Sequence, residues 1–163
     1  MAHPRKQASL AVSDPEPLVL NFPSAACELP RIREELRSWT DQCGWTVAQI
    51  DEIVLAVDEA VSNVICHGYA NDPNNQVELS MRCVQDAKEG AGLEIRIRDY
   101  GKQIDPAEIR GRALDDVRPG GLGVHIMRSL MNSVEYTRAE GGGMLLTMRK
   151  FRSHSAARDC NLD

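Results

Sequence analysis

Aromatic residues are scarce in this sequence, which contains two Trp, three Tyr and two Phe among its 163 residues. Proteins that bind single-stranded nucleic acid without sequence preference stack the bases on aromatic side chains, so the scarcity argues against that class. Positive charge is also in deficit, because 19 Lys and Arg residues stand against 24 Asp and Glu residues, for a formal net charge of −5. An acidic chain is poorly suited to phosphate backbones and anionic membrane surfaces. We therefore expect no direct contact with nucleic acid or membrane, and a protein or small molecule as partner.

Long apolar runs are missing as well. No segment approaches the roughly 20 apolar residues that a membrane-spanning helix needs, and residues 1–17 lack the apolar core of a secretion signal. These absences predict a cytoplasmic protein. The five cysteines have no C-x-x-C spacing and no clustered histidines beside them, which argues against a zinc site and predicts reduced thiols. They are Cys27, Cys43, Cys66, Cys83 and Cys160.

The composition that is present is that of a globular protein, with 42% hydrophobic and 26% charged residues. The length suits one compact domain. Pro, Ser and charged residues mix without periodicity in residues 1–17 and 152–163, which predicts a flexible tail at each end. We therefore expect a folded domain over residues 18–151, without internal repeats.

The first half of this domain carries clear signals of local structure. Residues 18–22 are typical of a short strand, and apolar residues then recur at helical spacing between positions 29 and 39. A second helix is predicted after Thr46-Val-Ala-Gln49, because this segment has the form of a capping box. Gly68 stands where a residue in the left-handed conformation would end that helix.

The second half is dominated by strand patterns. Apolar and polar residues alternate over residues 77–83 and 93–98, which predicts an antiparallel hairpin, and another hairpin is predicted over residues 134–149. Asp105-Pro-Ala-Glu108 predicts a short helix, and residues 124–131 predict a longer one. The expected fold is an α+β two-layer sandwich, with a mixed, mostly antiparallel sheet and the helices on one face.

Three polar residues recur along one stripe of the second helix. Glu59, Asn63 and His67 fall at positions i, i+4 and i+8, beside the apolar face. A carboxylate can orient or deprotonate a hydroxyl group and an amide oxygen can ligate Mg²⁺, so the pair Glu59 and Asn63 suits a reaction of a metal-bound nucleotide. On spacing alone, however, such residues are more often a simple boundary between core and surface. Asp58 points about 100° away around the helix and is not expected to share the site.

Two motifs that contain glycine follow later in the chain. Asp99-Tyr-Gly101 comes directly after a predicted strand, where a carboxylate could accept a hydrogen bond from an exocyclic amine such as that of adenine. Gly120-Gly-Leu-Gly123 precedes the last predicted helix, where backbone N–H groups and the helix dipole favour an anion such as phosphate. Each motif alone is also typical of an ordinary turn.

Taken in order, these three segments resemble the sequence boxes of the GHKL, or Bergerat-fold, ATP-binding superfamily. The chain is most similar to the small anti-sigma-factor serine-protein kinases of the RsbW type. Residues 57–69 resemble the N box, residues 99–106 the G1 box and residues 120–127 the G2 box. The resemblance extends over nearly all of residues 18–151.

The resemblance implies a role for each matching residue of the first two boxes. Asn63 would ligate Mg²⁺, and Glu59 would act as the catalytic base or orienting group. Asp99 would bind the adenine amine, and Gly101 would let the base approach. His67 would either face the phosphates and the lid or simply cap the helix.

The third box is assigned by the resemblance to the lid and the phosphates, which Gly121 and Gly123 would support. Further nucleotide contacts are implied for Ile104, Leu122 and Val124. The chain also departs from the family pattern. Gln103 replaces a second glycine of the G1 box, and Met144 replaces a threonine that helps to hold adenine, so that Thr147 is considered as a substitute. The segment that would form the lid is short.

The function that the resemblance implies is that of a cytoplasmic, regulatory serine kinase. It would use Mg²⁺ and ATP to phosphorylate a STAS-type anti-sigma factor antagonist, and would alternately bind a sigma factor. Any effect on transcription would thus pass through another protein. A homodimer formed by the first strand and helix is expected. The alternative, from a different class, is an ATP-dependent protein-binding regulatory module without phosphotransfer.

Overall fold

A computed structural model describes residues 14–109 and 122–152 of the chain. The predicted strands and helices are present in the predicted order, which confirms the α+β fold class. The strands are β1 (Leu18–Pro23), β2 (Gln76–Asp86), β3 (Gly90–Arg98), β4 (Ser133–Arg138) and β5 (Met144–Phe151), and the helices are α1 (Leu29–Gln42), α2 (Val47–Asn63) and α3 (Leu122–Leu130). A π turn (Val64–Gly68) and two 3₁₀ turns (Ala26–Glu28 and Pro106–Glu108) complete the set. Most of the predicted lid and of the two predicted tails lies outside the described residues.

The sheet has the strand order β1-β2-β3-β5-β4. Every neighbouring pair of described strands is antiparallel, so the expected mixed, mostly antiparallel sheet is antiparallel throughout the described residues. The register places Leu79, Ile97 and Leu146 side by side on adjacent strands. All three are buried, so this row faces the helices.

Strand residues alternate between the two faces of a sheet, so the neighbours of these buried residues lie on the opposite face. That face carries charged side chains. Arg82, Glu94 and Arg149 form a row across β2, β3 and β5. Both arginines donate to the Glu94 carboxylate at 2.8 Å. Burial raises the pKa of Glu94, but the hydrogen bonds and positive charges of the two arginines outweigh it, so the pKa lies below its ordinary value.

Helices α1 and α2 cover the apolar face of the sheet. Ile53, Val57 and Val61 of α2 repeat every four residues and are completely buried. Each such side chain stabilises the fold by about 1.5–3 kcal/mol. Trp39 of α1 donates from Nε1 to the carbonyl oxygen of Glu16 at 2.8 Å, which ties the segment before β1 to the helix. Among the helices within residues 14–109 and 122–152, none combines the length and apolar character needed to cross a bilayer.

The predicted capping box starts α2. Thr46 Oγ1 accepts a hydrogen bond from the Gln49 N–H at 3.3 Å, and Gln49 Oε1 accepts one from the Thr46 N–H at 3.2 Å. This reciprocal pair satisfies two of the N–H groups that a helix start leaves without partners. The helix that carries the polar stripe therefore has the beginning that its sequence predicts.

The end of α2 differs from the prediction, since Gly68 is not in the left-handed conformation. The helix instead widens into the π turn, where the Tyr69 N–H reaches back five residues to the Val64 carbonyl oxygen at 3.0 Å. This wider turn continues the helix past Gly68, so the reversal comes later, with positive φ at Ala70 and Asn71. π turns of this kind are frequent at functional sites.

Four of the five cysteines lie in the described residues, and all four are free. Cys27 and Cys66 are exposed, while Cys43 and Cys83 are half-buried with their sulfur atoms 3.7 Å apart. Burial raises the pKa of the Cys43 thiol to about 12. This pair therefore stays protonated at neutral pH. Cys160 lies outside the described residues.

Candidate functional site

A cleft of about 270 Å³ opens beside the end of α2. Its walls are formed by α2 with the π turn, by the end of β3 and the segment after it, by the start of α3, and by the hairpin of β4 and β5. Six of the site residues predicted from the sequence line this cleft. They are Asn63, His67, Asp99, Ile104, Gly123 and Val124.

A larger groove, of about 400 Å³, lies at the other end of α2 around Lys150. The Lys150 ammonium group donates to the Leu130 carbonyl oxygen at 2.6 Å and pairs with Glu52 at 2.7 Å. Its charge is thus already neutralised, and the groove holds none of the predicted site residues. The smaller cleft is therefore the candidate site.

Asp99 presents an unpaired acceptor to the cleft. The residue is 6% exposed, and its Oδ1 accepts hydrogen bonds from the Gly101 N–H at 2.9 Å and the Met144 N–H at 3.3 Å. Its Oδ2 has no donor among the described residues. This oxygen is not among the fully buried polar atoms without a partner, so it is open to solvent, and an acceptor of this kind is suited to an N–H group of a ligand.

Two glycines let other backbone segments approach the turn that Asp99 begins. A Cβ atom on Gly101 would lie 2.8 Å from the carbonyl oxygen of Gly68, and one on Gly143 would lie 2.7 Å from Tyr100 Cα. Gly101 is not among the residues that line the cleft, and its predicted role of letting the base approach stays a prediction. Its missing side chain instead allows the turn to pack against the π turn.

Glu59 and Asn63 meet the start of α3 at the other end of the cleft. A Cβ atom on Gly123 would lie 2.6 Å from Glu59 Oε2 and 3.3 Å from Asn63 Nδ2. Both side chains are half-buried, and neither forms a hydrogen bond or ion pair with a described residue. Backbone N–H groups and the dipole at a helix start favour an anion. The three residues therefore form a polar cluster at the start of α3, which is called the phosphate end below after its predicted role.

Four predicted site residues in the described part of the chain do not line the cleft: Glu59, Gly101, Leu122 and Thr147. Thr147 pairs with Arg96 and Glu135 in the sheet, so it lies on the charged face, opposite to Leu146, and the prediction that it substitutes for an adenine-holding threonine is wrong. Leu122 is 56% exposed at the first turn of α3 and does not line the cleft. Gly121 lies outside the described residues.

The positions of His67 and Asp58 along the helix and the π turn decide which of the two reaches the cleft. His67 lines the cleft and is exposed, but the π turn removes it from the regular i+4 spacing after Asn63. Asp58 lies away from the cleft, as its position on the helix predicts, because its carboxylate accepts a hydrogen bond from Arg33 Nε at 2.9 Å. The candidate acid at the phosphate end is thus Glu59.

Residues 22–150 match the model of the histidine kinase-like ATPase domain family. The chain belongs to this family. The serine-protein kinase RsbW of Halalkalibacterium halodurans is 28% identical over 150 residues, which cover 87% of this chain and 87% of that protein. The anti-sigma F factor of Oceanobacillus iheyensis is 35% identical over 127 residues, which cover 76% of this chain and 84% of that protein. These relatives confirm the resemblance to the RsbW type and the prediction of a protein serine kinase.

A solved structure shares the fold. The crystal structure of the RsbU and RsbW domains of Rv1364c from Mycobacterium tuberculosis superposes with a TM-score of 0.58 at 19% identity, over 84% of this chain. This chain spans 32% of that longer protein. At this identity the likeness shows the fold alone, and it agrees with the two-layer arrangement of the histidine kinase-like ATPase domain.

The residues of the cleft fit the nucleotide that a histidine kinase-like ATPase uses. The open Asp99 Oδ2 accepts from an N–H group, as an exocyclic amine supplies. Within the described residues, no group of three or more His, Cys, Asp or Glu side chains is arranged to hold a metal ion. Mg²⁺ usually binds through one or two protein oxygens together with substrate phosphates. Asn63 lines the cleft and carries an amide oxygen, which is the type of oxygen ligand that Mg²⁺ takes.

Nine lining residues were not predicted as contacts with the nucleotide, and Lys102, Tyr136, Met144 and Leu146 are among them. For two of them the strand register is a signal: Tyr136 pairs with Leu146 across the last hairpin, so both lie on the same face of the sheet. Met144 and Leu146 share one face of β5, so strand alternation also predicts their common side. Burial raises the pKa of Tyr136 to about 12, and its phenol is therefore neutral at physiological pH.

Proposed function

We propose that this protein binds Mg·ATP in the cleft and phosphorylates a serine of a STAS-type anti-sigma factor antagonist. The observation that supports this most directly is the open Oδ2 of the nearly buried Asp99, in a cleft whose opposite end carries Glu59, Asn63 and the start of α3. One end offers an acceptor for a base, and the other offers groups for phosphates and a hydroxyl nucleophile.

At the first end, the Asp99 carboxylate binds the exocyclic amine of adenine. Its Oδ1 is already occupied by the N–H groups of Gly101 and Met144, so Oδ2 remains for the ligand. Ile97 and Leu146 pair across β3 and β5 and supply apolar surface against the purine ring. This combination of one polar anchor and apolar walls is typical of small-molecule sites.

At the second end, the start of α3 receives the phosphates through its backbone N–H groups and helix dipole. Asn63 contributes its amide oxygen to Mg²⁺, which neutralises charge on the phosphates when it is bound. Glu59 orients or deprotonates the serine hydroxyl of the substrate. Phosphoryl transfer depends mainly on such positioning and charge stabilisation, so few protein groups are needed.

Recognition of the substrate depends on the surface of this domain. The relatives named anti-sigma F factor support a sigma factor as a second partner, bound in alternation with the antagonist.

We also propose a homodimer through β1 and α1. In support, β1 is an edge strand of the sheet, and Val19 on it is 63% exposed. The fold carries polar groups for direct protein contact but lacks the excess of positive charge that nucleic acid requires.

The test is transfer of labelled phosphate from Mg·ATP to STAS-domain proteins of the same organism. We expect Glu59→Gln to reduce the transfer rate about 10²- to 10⁴-fold, the usual range for a general base, while ATP still binds. Asp99→Asn should weaken ATP binding, because the amide presents a donor where the carboxylate presented an acceptor. Thr147→Val is the matched control, since this residue lies on the opposite face of the sheet.

The outcomes separate the two candidate functions. Transfer to a serine that depends on Glu59 supports the kinase. Tight ATP binding by the wild-type protein without transfer to any candidate would favour the regulatory module that binds proteins without phosphotransfer. A wild-type protein that binds no ATP would contradict both.

A further inference from the structure

One buried hydroxyl group joins two walls of the cleft without lining it. Tyr69 is 7% exposed and follows the π turn directly. Its hydroxyl donates to the Gln76 carbonyl oxygen at 2.7 Å and accepts a hydrogen bond from the Tyr100 N–H at 2.6 Å. The phenol thus links the end of α2 both to the start of β2 and to the turn that follows β3.

The bond to Tyr100 holds the centre of the turn that begins at Asp99. Asp99 itself is bound to the β5 hairpin, through its N–H to the Met144 carbonyl oxygen at 3.1 Å. Among the described residues, the contact from Tyr100 to Tyr69 is the hydrogen bond that joins this turn to α2 and the π turn. It therefore fixes how the Asp99 carboxylate lies relative to Asn63 and Glu59.

A second contact shows how closely the same two segments approach. Gly101 packs against the Gly68 carbonyl oxygen with no room for a Cβ atom. Packing of this kind limits separation in one direction only, whereas a hydrogen bond also fixes lateral position because it is directional. Tyr69 supplies that directional constraint.

We propose that Tyr69 is a positioning residue for base selectivity: its hydroxyl sets the position of Asp99 Oδ2, and so the preference for a purine that carries an exocyclic amine. This inference rests on the proposed function, in which Asp99 binds adenine. Without the hydroxyl, the Tyr100 N–H loses its acceptor and the turn shifts to find another. The turn nevertheless stays folded, because Arg98 donates to the Asp99 and Glu140 carbonyl oxygens on the other side.

The experiment compares ATP with inosine triphosphate, in which a carbonyl oxygen replaces the exocyclic amine. Dissociation constants with Mg²⁺ are measured by calorimetry for the full-length wild-type protein and Tyr69→Phe. We expect wild type to prefer ATP, and Tyr69→Phe to weaken ATP binding about tenfold, as the loss of one well-placed hydrogen bond implies. Binding of inosine triphosphate should change less than about twofold, because it makes no amine contact with Asp99.

Tyr100→Phe is the matched control. It removes a hydroxyl bonded to Glu78 on a half-exposed ring but keeps the backbone N–H that binds Tyr69. We expect the ATP preference of this variant to equal that of wild type. A preference lost in Tyr100→Phe as well as in Tyr69→Phe would overturn the inference.

The remaining outcomes separate this inference from the proposed function. Equal weakening of both nucleotides by Tyr69→Phe would indicate a merely structural role and overturn the inference alone, as would an unchanged preference. A wild-type protein that binds ATP no better than inosine triphosphate would overturn the adenine assignment as well. If Tyr69→Phe is too unstable to assay, hydrogen exchange of the wild-type Tyr100 amide decides: slow exchange supports the bond, and exchange at the rate of an open turn overturns the inference.

Discussion

Asp99 lines the cleft and Glu59 lies beside it, against Gly123 at the start of α3, and the surroundings of these two carboxylates differ. Around Asp99, the hydrogen bonds of Gly101, Met144 and Tyr69 hold the turn in place without a ligand. The side chains of Glu59 and Asn63, in contrast, make no hydrogen bond or ion pair with described residues, although the backbone of Gly123 lies against both.

This difference indicates how each end would act. Under the proposed function, the end at Asp99, called the adenine end, is preorganised, so little ordering would be needed when a base binds. The phosphate end would be completed by its ligands, since phosphate oxygens, Mg²⁺ and a substrate hydroxyl would supply the partners that the Glu59 and Asn63 side chains lack. We therefore expect a given backbone change to affect stability at the adenine end and chemistry at the phosphate end.

The largest effect is expected for Gly143→Ala at the adenine end. The new Cβ atom would clash with the Asp99 carbonyl group and would lie 2.7 Å from Tyr100 Cα, and φ of +68° adds strain. Backbone atoms of a bonded turn cannot move aside, so we expect a loss of about 3 kcal/mol or more in the free energy of unfolding. ATP binding should be lost with it. Urea denaturation and calorimetry measure the two effects.

Gly141→Ala is the control for Gly143→Ala. Gly141 also has a positive φ, of +82°, but its Cβ atom would meet nothing within 4 Å. We expect it to cost only about 1 kcal/mol from backbone strain, with ATP binding retained. Equal losses in the two variants would show that strain, rather than the contact with the Asp99 turn, explains Gly143, and would break the contrast between the ends.

Gly123→Ala is the same change at the phosphate end, and we expect the opposite balance. Its Cβ atom would meet the ends of two side chains, Glu59 and Asn63, which no described hydrogen bond restrains. They can rotate away, and alanine favours a helix, so stability should change by less than about 1 kcal/mol. Phosphotransfer should fall about tenfold or more, because Glu59 is displaced from its working position. A loss of stability like that of Gly143→Ala would contradict this expectation.

The sequence allowed prediction of features that depend on local chemistry. Thr46 and Gln49 are three residues apart, and such spacing fixes a capping box wherever a helix starts. Glu59 and Asn63 share a helix face for the same local reason. Gly68, by contrast, belongs to a π turn that packs against Gly101, 33 positions later, and no local pattern reveals this contact.

The prediction for Thr147 failed although the sequence contained the pattern that argues against it. The alternation that predicts β5 places residue 147 on the opposite face to Met144 and Leu146. Which face meets the helices is settled by burial, and Met144 and Leu146 are buried. Tyr69 could not have been predicted as a link between walls, since its two partners are backbone groups of distant segments.

The smallest effect is expected for Glu94→Gln, on the charged face of the sheet. This variant tests whether the difference between the adenine end and the phosphate end depends only on residues around the cleft. The pKa of Glu94 is lowered in the folded protein, so its stabilising contribution is present above its ordinary pKa near 4.5 and is lost as the pH falls through the lower folded value. Because Arg82 and Arg149 are partly exposed, Glu94→Gln should cost only about 1 kcal/mol at pH 7.

Urea denaturation at a series of pH values measures this contribution. We expect the free energy of unfolding of Glu94→Gln to fall less steeply than that of wild type below about pH 5, because the group that gains a proton on unfolding has been removed. The ATP preference over inosine triphosphate should remain that of wild type, since the bonds around Asp99 come from backbone groups and Tyr69. If Glu94→Gln changed that preference, the adenine end would depend on the charged face of the sheet. Its preorganisation would then not come only from the hydrogen bonds around Asp99.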